Sequence, residues 1–283
     1  MQTRATSPAP STGIRDFAVI AALAFLMSPA PASAQYKPRP LNDPATGESW
    51  HIEASADIWL PSADMVVASE SLGIRGTAIN LKRDLGVTDQ RFPALQLQLR
   101  PSKRHKFRFQ YIPIKYTASS TVQQDLIFNG IRYRFGLPIN TAFDWKAYRF
   151  GYELDFVSRN RGFAGVILEA KYTDVRVQLS TPLRPPEFAH ARGPIPAIGG
   201  IARVYVVPNI SITGELTGFK IPERIDDRYK AHYVDLDIYG TLNFNDHIGV
   251  KGGYRSTDVG YLIKSDSGTF DLKGIYFGGV LRY

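Results

Sequence analysis

TFDLKGIYFGGVLRY, residues 269–283, sorts its side chains into two columns. Ile275, Phe277, Gly279, Leu281 and Tyr283 fall in one, and Phe270, Leu272, Tyr276 and Val280 in the other. Alternate side chains of an extended strand point to opposite faces. The segment therefore presents one continuous apolar column that ends on an aromatic ring.

The same period of two recurs back to Trp50, in segments near 50–60, 92–100, 105–117, 143–157, 162–178, 197–207, 209–220, 231–244 and 247–262. Together with the terminal one they make ten, and none shows a convincing amphipathic helix. Their two faces separate cleanly: Leu95, Leu97 and Leu99 alternate with Gln96, Gln98 and Arg100, and Phe107, Phe109 and Tyr111 with Lys106, Arg108 and Gln110. Alternation alone also fits a soluble sandwich with one wet face. Connection lengths argue against it. Residues 101–104, 158–161, Pro208 and 245–246 are tight, whereas 61–91, 118–142 and 179–196 are long. Short turns at one end and long loops at the other are the habit of membrane barrels. The expected fold is all-β, an antiparallel up-and-down transmembrane barrel of about ten strands with both termini at the short-turn end.

If the apolar faces meet lipid, the polar faces must fill the lumen. They carry the acids Glu53, Asp57, Glu153, Asp155, Glu169, Glu215, Asp235 and Asp237, and the bases Arg100, Arg108, Arg149, Lys171, Arg203, Lys251 and Arg255. The signs nearly balance, as a desolvated interior requires. Register suggests that Glu169 faces Gly151, that Arg203 and Glu215 are diagonal neighbours, and that Asp235 faces Arg255 if the last tight turn has three residues. Leu126–Phe135 also reads as β structure and is expected as a hairpin in a long loop. Asp258 falls on the lipid face, which suggests that its strand projects above the membrane.

Residues 1–34 read as an export signal: Arg4 and Arg15, an apolar run Phe17–Leu26, then Ala32-Ser33-Ala34 as the cleavage pattern. That run is too short to span a bilayer, which takes about 20 residues in a helix. Removing the segment takes away Arg4, Arg15 and Asp16, so the net charge falls from +8 to +7. Residues 35–49 are proline-rich and read as a flexible lead-in, leaving 50–283 as the barrel. Cysteine is absent, which excludes disulfides and thiolate chemistry. The basic balance suits an anionic surface, and export makes nucleic acid an unlikely partner.

An exported chain ending on an aromatic strand resembles the Gram-negative outer-membrane β-barrel proteins. The resemblance covers residues 50–283 by pattern and 275–283 by motif. It implies a place in the outer membrane among its lipids and lipopolysaccharide. It also implies delivery by the barrel-assembly machinery, which reads Phe277, Leu281 and Tyr283; tyrosine stands where phenylalanine is commoner. Gly76–Leu81, followed by Asp84-Leu85-Gly86, is similar to a segment of other exported barrels. The enzyme barrels fit less well. Omptin-like proteases carry an Asp-His pair at the extracellular rim, whereas Asp246-His247 lies in a tight turn here. Lipid-hydrolysing barrels place a His and, two residues later, a Ser on one strand, and none of the five histidines is followed by a serine at that spacing.

His51, His105, His232 and His247 read as rim residues. His190 with Glu187, in a proline-stiffened loop, is the one polar cluster with a binding role in view. Tyr148, Tyr152, Phe156 and Phe244 read as lipid contacts and interface girdle. Ten strands sit near the filled end of the barrel series, so a salt-bridged filling competes with a narrow pore that passes small solutes. The expectation is a non-enzymatic outer-membrane protein without cofactor or metal, envelope-structural or narrowly porin-like. The alternative is a hydrolase acting on lipid or peptide at the extracellular rim.

Overall fold

The computed structural model describes residues 45–69, 76–182, 184–221, 229–263 and 266–283. The export signal and most of the lead-in lie outside them. The elements run β1 (Ile52–Ala68), β2 (Ile79–Asn80), α1 (Leu81–Leu85), β3 (Phe92–Ser102), β4 (His105–Thr121), β5 (Leu126–Phe128), β6 (Ile131–Tyr133), β7 (Pro138–Arg159) and β8 (Gly162–Thr181). They continue with β9 (Arg184–Val207), β10 (Ile210–Lys220), β11 (Tyr229–Asn243), β12 (Ile248–Ile263) and β13 (Asp266–Arg282).

Ten strands, β1, β3, β4 and β7 to β13, pair antiparallel in chain order, and β13 returns to pair with β1 from Arg282↔Glu53 to Ser267↔Ala68. The sheet is closed. Cross-strand pairs lead from Ile52 through Leu99, Phe107, Tyr152, Leu168, Ile198, Gly218, Val234, Asp258 and Asp271 back to β1 at Asp64. One circuit thus climbs the twelve positions from 52 to 64. Such a stagger tilts the strands by roughly 40° to the barrel axis.

The seam is tight at its base. Tyr283 accepts hydrogen bonds at its carbonyl from the amides of His51 and Ile52, and donates its own amide to Ile52. The column first seen in the terminal segment faces outward: Ile275, Phe277, Leu281 and Tyr283 are exposed. So are Ile58, Leu95, Leu97, Phe107, Phe150, Leu168, Ile212 and Leu216 on the other strands. A closed ladder leaves no unpaired edge, which is what an apolar belt in lipid demands. Among the described residues no helix is long and apolar enough to cross a membrane. On this outer surface Tyr111 stacks on Tyr148 at 4.8 Å between ring centroids, and Tyr148 meets Tyr172 at 6.4 Å. Beyond that row the outward column turns charged. Lys115, Asp144, Arg176 and His190 are cross-strand neighbours, and so are Lys146, Asp174 and Arg192. Asp258 lies among such residues, beside His232 at 3.3 Å, so the upper part of β12 stands above the apolar belt.

Several connections are shorter than sequence spacing suggests. Residues 179–196, expected as a long loop, are strand over 179–181 and 184–196: β8 and β9 run on to Thr181↔Arg184. Likewise β1 extends to Ala68, so the first connection is 69–91 rather than 61–91. The prolines of that β9 segment suggest a loop; among the described residues β9 is an edge there, and an edge tolerates residues without an N–H. Among the described residues β9 pairs only with β8 beyond Ile198, because β10 ends at Lys220.

Candidate functional site

The lumen has two halves of opposite chemistry. On β1 the inward column reads Glu53, Ser55, Asp57 near the termini, then Trp59, Ala63, Met65 and Val67. On β4 it reads Lys106, Arg108, Gln110, then Ile112, Ile114 and Tyr116; on β7 it descends from Ile139, Phe143 and Trp145 to Glu153 and Asp155. β3 makes the same change between Ala94 and Gln98. Four adjacent strands switch at one level.

In the terminal half all fifteen charged residues expected in the lumen point inward. Lys106 binds Glu153 at 2.6 Å and Asp155 at 2.9 Å. Arg108 reaches across to Glu215 at 2.6 Å while also holding Glu153 at 3.2 Å. Lys251 pairs with Asp57 at 2.9 Å, and Lys171 with Glu169 at 3.2 Å. Arg255 pairs with Asp237, which also accepts from the Tyr276 hydroxyl at 2.7 Å. Arg149 pairs with Asp235.

One register expectation changes. Asp237, not Asp235, faces Arg255, because the turn between β11 and β12 is centred on Asp246 rather than Asn245. Arg203 does lie diagonal to Glu215 but bonds instead to Thr213, Tyr239 and Glu48. Glu169 faces Gly151 as the spacing implies.

Three further charges join the fifteen: Glu48, Lys106 and Arg282. Lys106 continues the polar column of β4. Arg282 lies on the inner column of the terminal strand and binds Glu53 at 2.5 Å. With them the network holds nine acids and nine bases. Glu48 carried no signal, because its segment has no periodicity. The lead-in is nonetheless ordered from Ala45 onward. Ala45 donates to Asn160, Thr46 to Pro208 and Gly47 to Asp246, so the segment is stitched to three successive tight turns. Gly47 adopts φ +83°, and a Cβ there would meet Arg282 and Asn243 at 2.8 Å. This delivers Glu48 between Arg203 (3.1 Å) and Arg100 (3.5 Å), with the Tyr205 hydroxyl donating at 2.9 Å. Burial works to raise the Glu48 pKa, but the two guanidiniums outweigh it and hold the carboxyl below the usual range. The void left at the centre of the network, bounded by Arg108, Arg149, Glu215, Asp237, Arg255 and Tyr276, is about 10 Å³. That is at most the space of one water.

In the loop half the filling is apolar and partly borrowed from the connections. Residues 76–87 fold inward: β2 adds to β1 at Val67↔Ile79, and α1 follows. The Asn80 side chain caps α1 by accepting from Lys82 and Arg83, and Asp84 accepts from the Asn80 amide in return. Gly86 ends the helix at φ +71°. Ile79, Leu81 and Leu85 are wholly buried. The expected hairpin in Leu126–Phe135 forms as β5–β6, turning at Asn129-Gly130, both with positive φ, as a two-residue hairpin turn requires. It is a separate sheet and packs down with Leu126, Phe128 and Tyr133 buried. Thr77 ties the two insertions together through both bonds to the Ile127 backbone.

Beside this cap lies a cavity of about 520 Å³. Val67, Trp145, Val175, Val177, Val259 and Phe270 form its apolar wall, and Gly193 lies among them. His190, Arg192 and His232 stand at its rim. His190 is thus in a strand, not a loop, and its partner is Asp174 at 2.7 Å; the Glu187 side chain is outside the described ones. His51 and His247 lie at the terminal end against the carbonyls of Arg100 and Arg282, and His105 beside the Tyr152 hydroxyl at 2.6 Å. Among the described residues no three His, Asp or Glu side chains are grouped to hold a metal.

No family model matches this chain, and no curated protein matches it. Solved structures do. The outer membrane protease OmpT from Escherichia coli is 7% identical over 82% of this chain and 97% of its own, with a TM-score of 0.50. Ail, the attachment invasion locus protein of Yersinia pestis, is 10% identical over 81% and 99%, at 0.35. The Pseudomonas putida toluene transporter TodX is 8% identical over 86% and 93%, at 0.34. At such identities the likeness to OmpT concerns the fold alone. The closed ten-strand ladder and its apolar belt are those of a Gram-negative outer-membrane β-barrel.

Proposed function

We propose that this protein is a sealed, non-enzymatic outer-membrane barrel: an envelope-structural scaffold that does not conduct through its lumen. The observation that carries the reading is the terminal half of the lumen. Nine acids and nine bases pair across it, leave a void of about 10 Å³, and are closed over by Ala45–Trp50. A hydrated ion needs a continuous wet path, and neither this network nor the apolar cap above it offers one. The narrow-pore reading is therefore the weaker of the two expectations.

The tight-turn end faces the periplasm, where the assembly machinery meets Phe277, Leu281 and Tyr283. The charged lattice above the tyrosine row, with Lys115, Lys146, Arg176 and Arg192 beside Asp144 and Asp174, suits the phosphates of lipopolysaccharide. Two His–Asp pairs, His190–Asp174 and His232–Asp258, do stand at the loop end, but on the outward columns of the strands rather than in the lumen, which favours scaffold over hydrolase.

Planar-bilayer recording tests the reading. Purified protein is expected to give no stable conductance steps, and reproducible steps with ion selectivity would overturn it. A screen of ester and peptide substrates is expected to show no turnover that His190→Ala abolishes.

A further inference from the structure

We infer that one side of the tight-turn rim, with the apolar groove above it, binds a phospholipid with an anionic headgroup from the leaflet at that rim. Four cations stand there on two turns: Lys103 and Arg104 between β3 and β4, and Arg159 and Arg161 at the join of β7 and β8. β4 pairs with β7, and the Asp155 amide donates to the Arg104 carbonyl at 2.8 Å, so the turns lie side by side. Lys103, Arg104 and Arg159 are exposed, and Arg161 is half-buried. No acid occurs in residues 101–105 or 158–163. Glu153 and Asp155, the first acids up β7, are held by Lys106, and Glu48 of the lead-in by Arg203 and Arg100. The other tight turns differ: Pro208-Asn209 is uncharged, and Asn245-Asp246 carries an acid. The positive charge is therefore concentrated on one side.

The outward face above these turns supplies an apolar bed. Leu99, Phe107, Tyr152 and Leu168 are cross-strand neighbours in one row, and they line an open groove of about 460 Å³ on the outside of the barrel. Ala170, small between the exposed Leu168 and Tyr172 of the same column, leaves the room. Phe107 stands just above Arg104 on β4, about 10 Å along the strand at some 3.3 Å per residue. A phosphate held at Arg104 therefore has its acyl chain at the foot of the groove. Between the two levels, His105 and the Tyr152 hydroxyl share a hydrogen bond of 2.6 Å, the kind of polar-tipped aromatic that marks a membrane interface.

The two features together select the occupant. A soluble anion would meet the cations and leave the groove empty. A zwitterionic lipid would fill the groove but bring no net charge to the cations. Only an anionic amphiphile uses both, and each basic side chain near an anionic membrane surface strengthens binding about fivefold. Lipopolysaccharide lies in the opposite leaflet, beyond the reach of this rim. That assignment of leaflet rests on the orientation proposed above, with the tight turns toward the periplasm.

The test reads lipid binding at the site by fluorescence quenching, with the full mature barrel in phosphatidylcholine vesicles. The native Trp50, Trp59 and Trp145 are buried, so Phe156→Trp, beside the basic turns, adds a reporter that a brominated acyl chain can reach. Ile248→Trp serves as the reference, at the same rim but on β12, directly opposite β7 in the ring. The quenchers are brominated phosphatidylglycerol and, with no net charge, brominated phosphatidylcholine. At low salt the Phe156→Trp site is expected to prefer phosphatidylglycerol at least about tenfold, and the Ile248→Trp site to show no preference. Arg104→Gln should lower the preference about fivefold, whereas Arg104→Lys, which keeps the charge, should retain it. Changing Lys103, Arg104 and Arg159 together to glutamine should erase it. Equal preference at both reporters would mean the general field of a basic protein and overturn the inference. So would a preference that survives the triple change. Should the triple variant lack the heat-modifiable migration of a folded barrel, Arg104→Gln carries the test, and an unchanged preference there would overturn the inference. Vesicles offer the same lipid to both rims, so failure here would leave the orientation and the sealed lumen standing.

Discussion

The two halves of the lumen solve the same problem, closing a cylinder, by opposite means. Near the termini charged groups fill the interior and leave about 10 Å³ empty; near the loops apolar groups do, and about 520 Å³ stays open beside them. The difference follows from what each wall tolerates. A buried charge facing a gap has lost water and gained nothing, which costs several kcal/mol. A buried valine facing a gap forfeits only a fraction of its weak contacts. Ionic filling must therefore be complete, whereas apolar filling can afford an unoccupied corner. A ligand site is correspondingly easier to hold in the second half than in the first.

The contrast predicts where the barrel breaks. Arg108→Ala should do the most damage, since it strips Glu215 of its cationic partner and leaves Glu153 with Lys106 alone. A loss of about 3–5 kcal/mol is expected, read as a lower urea midpoint in lipid vesicles by the gel shift of the folded form. An unchanged midpoint would mean that water reaches these carboxylates and that the terminal half is not sealed. Combining Arg108→Met with Glu215→Leu should recover most of the loss, because a matched apolar pair replaces the bridge.

In the loop half Leu85→Ala should cost about 2–4 kcal/mol, but locally. Hydrogen exchange should rise over residues 77–87 while the gel shift stays, since α1 packs on the barrel rather than forming part of its ladder. Global unfolding instead would show the cap to be integral.

Acid offers a gentler perturbation. The Glu48 carboxyl is depressed below its ordinary 4.5, so its contribution is present at neutral pH and above that value. It is lost as the pH falls through the depressed pKa. Ala45–Trp50 should therefore become cleavable by an added acid protease, and Glu48→Gln should show the weakened docking, about 1–3 kcal/mol, already at pH 7. Protection that does not change with pH would assign the latch to the backbone bonds alone. Smallest of all, Asn80→Ala removes the α1 cap and should cost about 1 kcal/mol, visible only as faster exchange at Lys82 and Arg83.

The sequence made the ladder legible because a strand in lipid has no freedom in its alternation: an outward charge or an inward slip would be paid for along the whole face. Hence Glu53, Arg108 and Arg255 could be assigned inward from spacing alone. The apolar half was harder to see. Ile112, Ile114 and Tyr116 continue the column of Arg108, and Trp59, Met65 and Val67 that of Asp57, yet both faces are apolar there and alternation loses its contrast. The inner Phe270, Leu272 and Tyr276 were the visible sign that the lumen changes character. Two things were beyond reach. Ala45–Trp50 is held by backbone bonds to turns distant in the chain, which leave no trace in composition. The prolines of β9 read as loop because nothing in the sequence shows that, among the described residues, one side of that strand has no paired neighbour.

The seam between β1 and β13 sets the tempo of folding. Every other strand meets the one before it in the chain and can zip as a hairpin, but Glu53 waits for Arg282, 229 positions away. Contacts so remote are entropically late. Until they form, the nascent sheet has two bare margins that could recruit a neighbour. A chain truncated before Ile275 would keep all its hairpins and still never become a cylinder.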